Sequence, residues 1–374
     1  MDLSSAFDTV NHSILLNQLH SRYGIGGSVL SWFKSYLTDR CQRVKIANML
    51  SSTRRLDTGV PQGSVLGPVL FSMYLAGLSD VIRHHGIQFH HYADDTQLYV
   101  AFDKGNAPIA FRTMEACISD VNKWVTLNRL KLNCEKTESI VFRSKFAELD
   151  LTFPPLIVGN DLIYHSEFVR NLGAIFDCNL TLERHINKFC QSANWQLRNI
   201  GLMRRYIDNK TCEILIHAFV TSKLDFLNSL LFGISDLSKH KLQKIQNSAA
   251  RIVKRKRRSC HITPLLKELH WLPIDYRIKF KVLLITFNAL HREQPVYISQ
   301  LLSSYTPART LRSTDKAYLN TPMPRLKTYG YRSLEYAAPY LWNQLPDHIR
   351  MCTELSTFKS SLKTHLFTCA FECN

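Results

Sequence analysis

The sequence predicts an α+β fold in three stretches: a mixed region over 1–176, a helical region over 177–258 and a mainly helical region over 259–374. Three observations carry this. Up to Asp177, short β-type runs bounded by Gly, Pro and Asp alternate with helix-length segments. After Asp177, apolar residues recur at spacings of three and four. Around Pro264 and Pro273 that pattern breaks and then resumes. A chain of 374 residues suits two or three domains, and 45% apolar residues, with 11% aromatic, supply their cores.

In order, the opening residues read as a strand end running into a turn. Ser13–Tyr23 and Ser28–Leu37 read as helices separated by the Gly24–Gly27 break. Cys41–Ile46 alternates as a strand does. The turn Gly59-Val60-Pro61-Gln62-Gly63-Ser64 opens a helix running to about Arg83. Ile87–Tyr92 and Thr96–Ala101 are strand-like, which puts Asp94 and Asp95 at a hairpin tip. Ala107–Asn128 is helical, Thr137–Phe142 a strand, and two β runs follow near Leu156–Val158 and Phe168–Phe176. Beyond Asp177, the stripe Leu182, Ile186, Phe189, Ala193, Leu197, Ile200 and the stripe Leu242, Ile245, Ala249, Ile252 mark two amphipathic helices with their core faces. Helices over Ile274–Leu290, Tyr336–Leu345 and Leu355–Leu366 close the chain, with a Pro-containing stretch to about Arg332 between the first two.

Charge narrows the function classes. At 21% charged residues the chain is no disordered polyelectrolyte. Lys plus Arg number 47 and Asp plus Glu 30, a net +17 that calls for a polyanionic partner, nucleic acid or an anionic membrane. Residues 1–150 carry 16 basic and 14 acidic residues, and residues 151–374 carry 31 and 16, so the second part holds +15 of the total. The densest run is Lys254, Arg255, Lys256, Arg257 and Arg258, read as a phosphate contact patch in preference to a solvated helix end or an import signal. No apolar run approaches the roughly 20 residues of a membrane span, and no strongly amphipathic basic helix stands alone, so no membrane partner is expected. The start MDLSSAFD lacks a basic n-region, so the expected location is intracellular, in nucleus or cytoplasm, and not secreted. Ten cysteines without a CxxC pair are expected to be reduced and mostly buried. Cys260, His261 and His270, like Cys369 and Cys373, read as packing residues and not as a zinc site.

Three acids stand out for chemistry: Asp2 at a strand end and the Asp94–Asp95 pair. Carboxylates converging from separate strands are what two-metal phosphoryl transfer needs. An Asp-Asp pair in a turn is by itself commonly structural, because Asp favours turns. The order of the surrounding segments adds more. Asp2-Leu3-Ser4-Ser5-Ala6-Phe7-Asp8-Thr9-Val10, Gly59-Val60-Pro61-Gln62-Gly63-Ser64-Val65-Leu66-Gly67-Pro68 and Tyr92-Ala93-Asp94-Asp95 resemble motifs A, B and C of the reverse transcriptases of non-LTR, LINE-type retrotransposons. Trp124 to Phe142 resembles motif D, and Phe168-Val169-Arg170-Asn171-Leu172-Gly173 resembles motif E. Leu269-His270-Trp271-Leu272-Pro273, Leu326-Lys327-Thr328-Tyr329-Gly330 and Ala337-Ala338-Pro339-Tyr340-Leu341-Trp342-Asn343 resemble the C-terminal region of jockey-like elements.

The resemblance implies a partial palm over 1–176, a thumb over 177–258 and a C-terminal domain over 259–374. It implies an RNA-directed DNA polymerase acting on an RNA template, a DNA primer and deoxynucleoside triphosphates with two Mg²⁺ ions. Asp2, Asp94 and the Leu3 carbonyl would be metal ligands, and Asp95 would support them. Phe7 would exclude a ribose 2′-OH. Gln62 and Gly63 would approach the incoming nucleotide and template, Gly63 because a backbone without Cβ admits a ligand closely. Lys136 would be the general acid for pyrophosphate, and Leu172 and Gly173 would lie in the primer grip. For Phe7 and Lys136 the residues alone read equally as core packing and surface charge.

One departure shapes the expectation of activity. The sequence starts within motif A, without a fingers region or an endonuclease ahead of it. Apolar surface on the Asp2 strand, a frayed Asp2 and a competing α-ammonium are the expected consequences. Two hypotheses follow: a polymerase fragment, or an inactive nucleic-acid-binding remnant that still grips phosphates.

Overall fold

The computed structural model describes residues 1–103, 105–144, 153–306 and 317–372. Cys373 and residues 307–316 of the Pro-containing stretch before Arg332 lie outside the described residues. The chain forms two compact units, Met1–Val169 and Arg170–Asn374.

The first unit is α+β. It contains β1 (Asp2–Leu3), α1 (His12–Ser21), α2 (Gly27–Leu37), β2 (Cys41–Gln42), β3 (Lys45–Ile46), β4 (Met49–Leu50), β5 (Arg54–Arg55) and α3 (Gly67–His84). Then come β6 (Gln88–Tyr92), β7 (Asp95–Tyr99), α4 (Ala107–Leu127), β8 (Leu132–Asn133), β9 (Leu156–Val158) and β10 (Asp161–Ile163). Helix α3 organises the core. Leu70, Phe71, Tyr74, Leu75, Leu78 and Ile82 lie on one face at spacings of three and four and are buried. They meet Met114, Cys117, Ile118, Val121 and Val125 of α4 in one cluster. The two helices cross closely at Gly77, where a Cβ would stand 3.1 Å from the Trp124 ring. Tyr74 is buried with its polar end satisfied: its hydroxyl donates to Asn128 O at 2.5 Å and accepts from Asn11 N–H at 3.4 Å.

The sheet departs from expectation. All strands pair two by two, β1 with β8, β6 with β7, β2 with β5, β3 with β4 and β9 with β10. The predicted single strand Cys41–Ile46 is two, each with its own partner. Thr137–Phe142 is not a strand: a 3₁₀ turn over Cys134–Lys136, capped by Asn133, leads into Thr137, and Ser139 makes only an isolated bridge to His165. The exposed apolar surface expected on the Asp2 strand lies elsewhere. Leu3, Ala6 and Val10 are buried, and the exposed apolar side chains include Val29 and Trp32 of α2 and Ile46, Met49 and Leu50 of the β3–β4 ladder.

The predicted run Phe168–Phe176 is two paired strands, β11 (Phe168–Asn171) and β12 (Ala174–Asp177), with Leu172 and Gly173 between them. The second unit is otherwise helical: α5 (Glu183–Met203), α6 (Asn209–Ile216), α7 (Ser222–Asp225), α8 (Asp236–Lys254), α9 (Ile262–Glu268), α10 (Ile274–His291), α11 (Val296–Ser299), α12 (Lys327–Gly330), α13 (Leu334–Trp342), α14 (Asp347–Arg350) and α15 (Leu355–Phe371). A one-turn π-helix, His217–Thr221, joins α6 to α7.

Asp177 starts α5. Its carboxylate accepts from Asn179 N–H, Thr181 N–H, Thr181 Oγ1 and Leu182 N–H at 2.7–3.2 Å. Both predicted stripes face the core, with only Phe189 and Ile252 partly exposed. Helix α10 packs against α13 and α15, where Phe287 stacks on Phe358 at 4.3 Å. Two buried arginines close helix ends. Arg204 donates to the Ile252 and Val253 carbonyls at the end of α8, and to Ile207 O and Asn209. Arg350 reaches Asn343 O, Leu345 O and Asp347, with its guanidinium 4.0 Å from the Tyr318 ring centre.

Among the described cysteines all are free thiols; Cys117 and Cys212 are buried, and burial pushes Cys117 up to about 11. Among the described residues no helix is long and apolar enough to cross a membrane.

Candidate functional site

Asp2 is placed by pairing. Strand β1 runs antiparallel to β8, with Asp2 opposite Asn133 and Leu3 opposite Leu132. Ser4 N–H extends the ladder to Lys131 O at 2.9 Å. On its other side, residue 1 exchanges both backbone hydrogen bonds with Thr96 of β7: Met1 N donates to Thr96 O at 2.9 Å, and Thr96 N–H donates to Met1 O at 3.0 Å. The Asp2 end is therefore held between β7 and β8, and is not frayed. The α-ammonium sits in this ladder, and burial lowers its pKa against the pull of Asp95, Asp2 and Glu138.

The β6–β7 hairpin pairs Tyr92 with Asp95 and leaves Ala93 and Asp94 at its tip, where the sequence put the acids. Ala93 takes a left-handed φ of 53° to close the turn. Buried Thr96 follows, its hydroxyl 3.0 Å from His91 Nδ1. The β1–β7 contact thus brings Asp2 near the acidic pair. Asp95 records this: burial first, then the charges of Asp94 and Asp2, raise its carboxyl above the ordinary value, opposed by the α-ammonium and Lys136.

Lys136 arrives by the same ladder. Asn133, opposite Asp2, caps the 3₁₀ turn by accepting from Lys136 N–H at 3.3 Å. That turn sets Lys136 Nζ 3.3 Å from Asp2 Oδ2, with the lysine 70% and the aspartate 15% exposed. Asn133 was not singled out from the sequence. Its signal was an Asx cap ahead of a short charged turn.

The motif A and B segments are laced together. Val60 N–H donates to Phe7 O at 2.9 Å, Gly59 N–H to Val10 O at 2.8 Å, and Gln62 Nε2 to Asp8 Oδ1 at 3.2 Å. His12 Nε2 lies 2.8 Å from Gly59 O. Gly59 is required here, since a Cβ would meet Asp8 O at 3.1 Å and its φ is +90°. Phe7 is half-buried, its ring stacked on fully buried Phe71 at 4.5 Å and 27°. Core packing and a fixed ring are thus both true of Phe7. Gln62 and Gly63 are exposed, and Gly63 has a φ of +77° with nothing within 4 Å of a Cβ, so the space above it is open.

The remaining sequence-chosen residues fall in the second unit. Leu172 (φ 45°) and Gly173 (φ 88°) form the left-handed turn between β11 and β12. Leu172 is exposed, and a Cβ on Gly173 would lie 3.0 Å from Phe226. The basic run divides. Lys254 pairs with Glu268 at 2.6 Å, and Arg255 caps α8 and donates to Arg204 O and Ile207 O. Lys256, Arg257 and Arg258 are exposed.

The residues fit a hard divalent cation in chemistry. Carboxylates and a carbonyl are Mg²⁺ donors, and Asp95, raised first by burial, feels the charges of Asp94 and Asp2 as well. Among the described residues no three His, Cys, Asp or Glu side chains form a ready metal cage. Mg²⁺ sites on one or two carboxylates completed by substrate phosphates need none.

Comparison with known proteins identifies the domain that holds these segments. Residues 1–176 match the family model described as Reverse transcriptase (RNA-dependent DNA polymerase). The chain is 24% identical over 263 residues to the RNA-directed DNA polymerase from mobile element jockey of Drosophila melanogaster, covering 68% of this chain and 28% of that protein. It is 27% identical over 267 residues, with the same coverages, to the probable RNA-directed DNA polymerase from transposon BS of Drosophila melanogaster. The Drosophila funebris jockey polymerase is 25% identical over 266 residues. The matches thus span little more than a quarter of these relatives' length. Ordered motifs and the match over 1–176 lead to one assignment: residues 1–176 carry a reverse transcriptase domain, and the chain is similar to the RNA-directed DNA polymerases of non-LTR, jockey-like retrotransposons.

Proposed function

We propose that the first unit carries the nucleotidyl-transfer centre of an RNA-directed DNA polymerase, extending a DNA primer on an RNA template with deoxynucleoside triphosphates inside the cell. The observation that supports it most is the junction of β1, β7 and β8, which gathers Asp2, Asp94, Asp95 and Lys136 from separate segments. Residues 1–176 would be the palm, 177–258 the thumb and 259–374 a C-terminal domain.

Asp2, Asp94 and the Leu3 carbonyl would hold Mg²⁺, with Asp95 shaping the charge behind them. When bound, the ion pair supplies acidity to the primer 3′-hydroxyl and neutralises the departing pyrophosphate. The 3′-hydroxyl releases its proton to solvent water, and its oxygen bonds to the α-phosphorus as the bond to the bridging oxygen breaks. Lys136 Nζ donates its proton to that leaving oxygen, and its exposed stem lets it turn from Asp2 to do so. Phe7, held flat on Phe71, occupies the room a 2′-OH would need. Open space over Gly63 admits the nucleotide or template backbone, and Leu172 and Gly173 bear on the primer.

The test is templated primer extension with Mg²⁺, alongside calorimetric Mg²⁺ titration. Asp94→Ala is expected to lose extension by about 10³-fold, the scale of removing a key charge stabiliser, and to lose Mg²⁺ binding. Equal extension and equal Mg²⁺ binding by wild type and variant would overturn the reading.

A further inference from the structure

Within the second unit, one cleft lies outside every residue assigned above. It encloses about 270 Å³ between α8, α10 and α13, with Leu231, Ile278 and Leu341 as apolar lining and Lys239, Lys279 and Tyr340 among its polar or aromatic members. Tyr340 is the informative residue. It belongs to the run Ala337-Ala338-Pro339-Tyr340-Leu341-Trp342, in which every other side chain is buried, yet it is 43% exposed. A tyrosine exposed from an otherwise buried helical run is free to meet a partner. Tyr340 is also held flat: Tyr336, one turn earlier, stacks on it at 5.3 Å and 17°, and Tyr331 meets Tyr336 edge-on at 4.6 Å. Three rings thus form a short ladder that ends at the cleft.

The cations are equally placed. Lys279 Nζ stands 2.7 Å and Lys239 Nζ 3.7 Å from opposite oxygens of Asp275, and Lys239 also reaches exposed Asp236 at 3.4 Å. Such partly exposed pairs are weak and yield to a phosphate. The unit supplies the long-range attraction, with 31 Lys and Arg against 14 Asp and Glu over residues 170–374. A stacking face, adjoining ammonium groups, an apolar floor and the exposed Gln344 at the rim are the elements that hold an unpaired nucleotide. A duplex, whose bases are already stacked, has no face to offer Tyr340.

We infer that this cleft binds single-stranded nucleic acid, seating one base on Tyr340 and the adjoining phosphate on Lys239 and Lys279. The inference rests on the polymerase reading for its choice of polyanion. It gives the C-terminal region a task of its own: holding an unpaired segment of the strand the enzyme copies or makes.

The experiment is fluorescence anisotropy of the full chain with a labelled 12-nucleotide single strand and with a duplex of equal length, each across a salt series. Tyr340→Leu is expected to weaken single-strand binding by about tenfold with the salt slope unchanged, and to leave duplex binding intact. Tyr340→Phe restores wild-type binding. Lys239→Gln with Lys279→Gln flattens the single-strand slope by about 0.7 for each phosphate no longer neutralised. Lys279→Glu weakens single-strand binding too, and serves if Tyr340→Leu fails to fold. Wild-type single-strand affinity in Tyr340→Leu or Lys279→Glu, equal losses on duplex and single strand, or competition by an acidic peptide or by free UMP at the oligonucleotide's own potency would each overturn the inference. The two readings fail separately. Asp94→Ala that extends primers like wild type sinks the polymerase centre and leaves the cleft standing, whereas Tyr340→Leu that binds like wild type sinks only the cleft.

Discussion

The two units use charge in opposite ways. Residues 1–169 hold 16 Lys and Arg against 16 Asp and Glu and are neutral, while residues 170–374 carry the whole net +17. In the first unit a few carboxylates stand close enough to disturb one another, because backbone pairing at Met1–Thr96 and Asp2–Asn133 leaves them no choice. In the second unit the cations are spread over helix ends and surfaces, and some are structural. Arg204 and Arg350 are buried on carbonyls, and Lys254 and Arg255 are tied to Glu268 and to helix ends. Like charges held together need a precise backbone. A field that attracts a polyanion needs only an excess. The surplus of +17 therefore overstates the number of cations that face a ligand, and the neutral unit holds the more demanding arrangement.

The sharpest break of this comparison is in rates. Asp94→Ala should cost about 10³ in primer extension, while the Kd for nucleic acid, which the charge surplus of the other unit is expected to dominate, should stay as in wild type. A loss of both in parallel, read by extension and filter binding on one preparation, would deny the division of labour. Next is stability. Phe71→Ala in the first unit and Phe358→Ala in the second each empty a fully buried aromatic site, and each should cost about 3–5 kcal/mol in denaturant unfolding. Only the first removes the support beneath Phe7. Phe7→Ala should then raise ribonucleotide over deoxynucleotide incorporation, measured in competition, and unchanged selection would leave Phe7 a packing residue.

The basic run gives a finer division. Replacing Lys256, Arg257 and Arg258 by Gln should flatten the salt dependence of duplex binding by up to about 0.9 for each phosphate no longer neutralised. Lys254 and Arg255, already engaged, should change the slope less and the stability more. Equal slopes from the two sets would mean that all five face the ligand.

The smallest effect is a pH profile. Asp95 has its folded pKa raised from 3.8, by burial and then by Asp94 and Asp2. The folded chain therefore keeps that proton longer than the unfolded chain, so stability falls as pH rises from 3.8 through the folded value. Asp95→Asn removes the penalty. The variant should match wild type in strong acid and gain on it through that window, as unfolding midpoints against pH will show. Added Mg²⁺ should narrow the gap, because a cation relieves the same repulsion.

Much of this was legible in the residues. The helices over His12–Ser21, Gly67–His84, Ala107–Leu127, Glu183–Met203, Asp236–Lys254 and Ile274–His291 follow from apolar spacing, since a helix is held by contacts three and four residues apart. The Asp94 tip follows from two flanking β runs, and the sign and place of the charge from counting. Strand partners were not legible in the same way. The split of Cys41–Ile46 into two ladders and the absence of a strand over Thr137–Phe142, after the 3₁₀ turn at Cys134–Lys136, turn on which short segment finds a partner, and the anchoring of Asp2 through Thr96 and Asn133 depends on segments far apart in the chain. Such short strands cannot be recognised by period, because two residues hold no alternation. Which cations of the basic run are engaged, such as Lys254 on Glu268, is equally a tertiary matter, since an ion pair is set by where two side chains end and not by how often either occurs. The amino-acid order alone determined the elements, the family resemblance and the charge. Tertiary structure decided that Asp2 comes near the acidic pair, that Phe7 is braced by Phe71, and that Tyr340, stacked on Tyr336, ends at the mouth of a cleft.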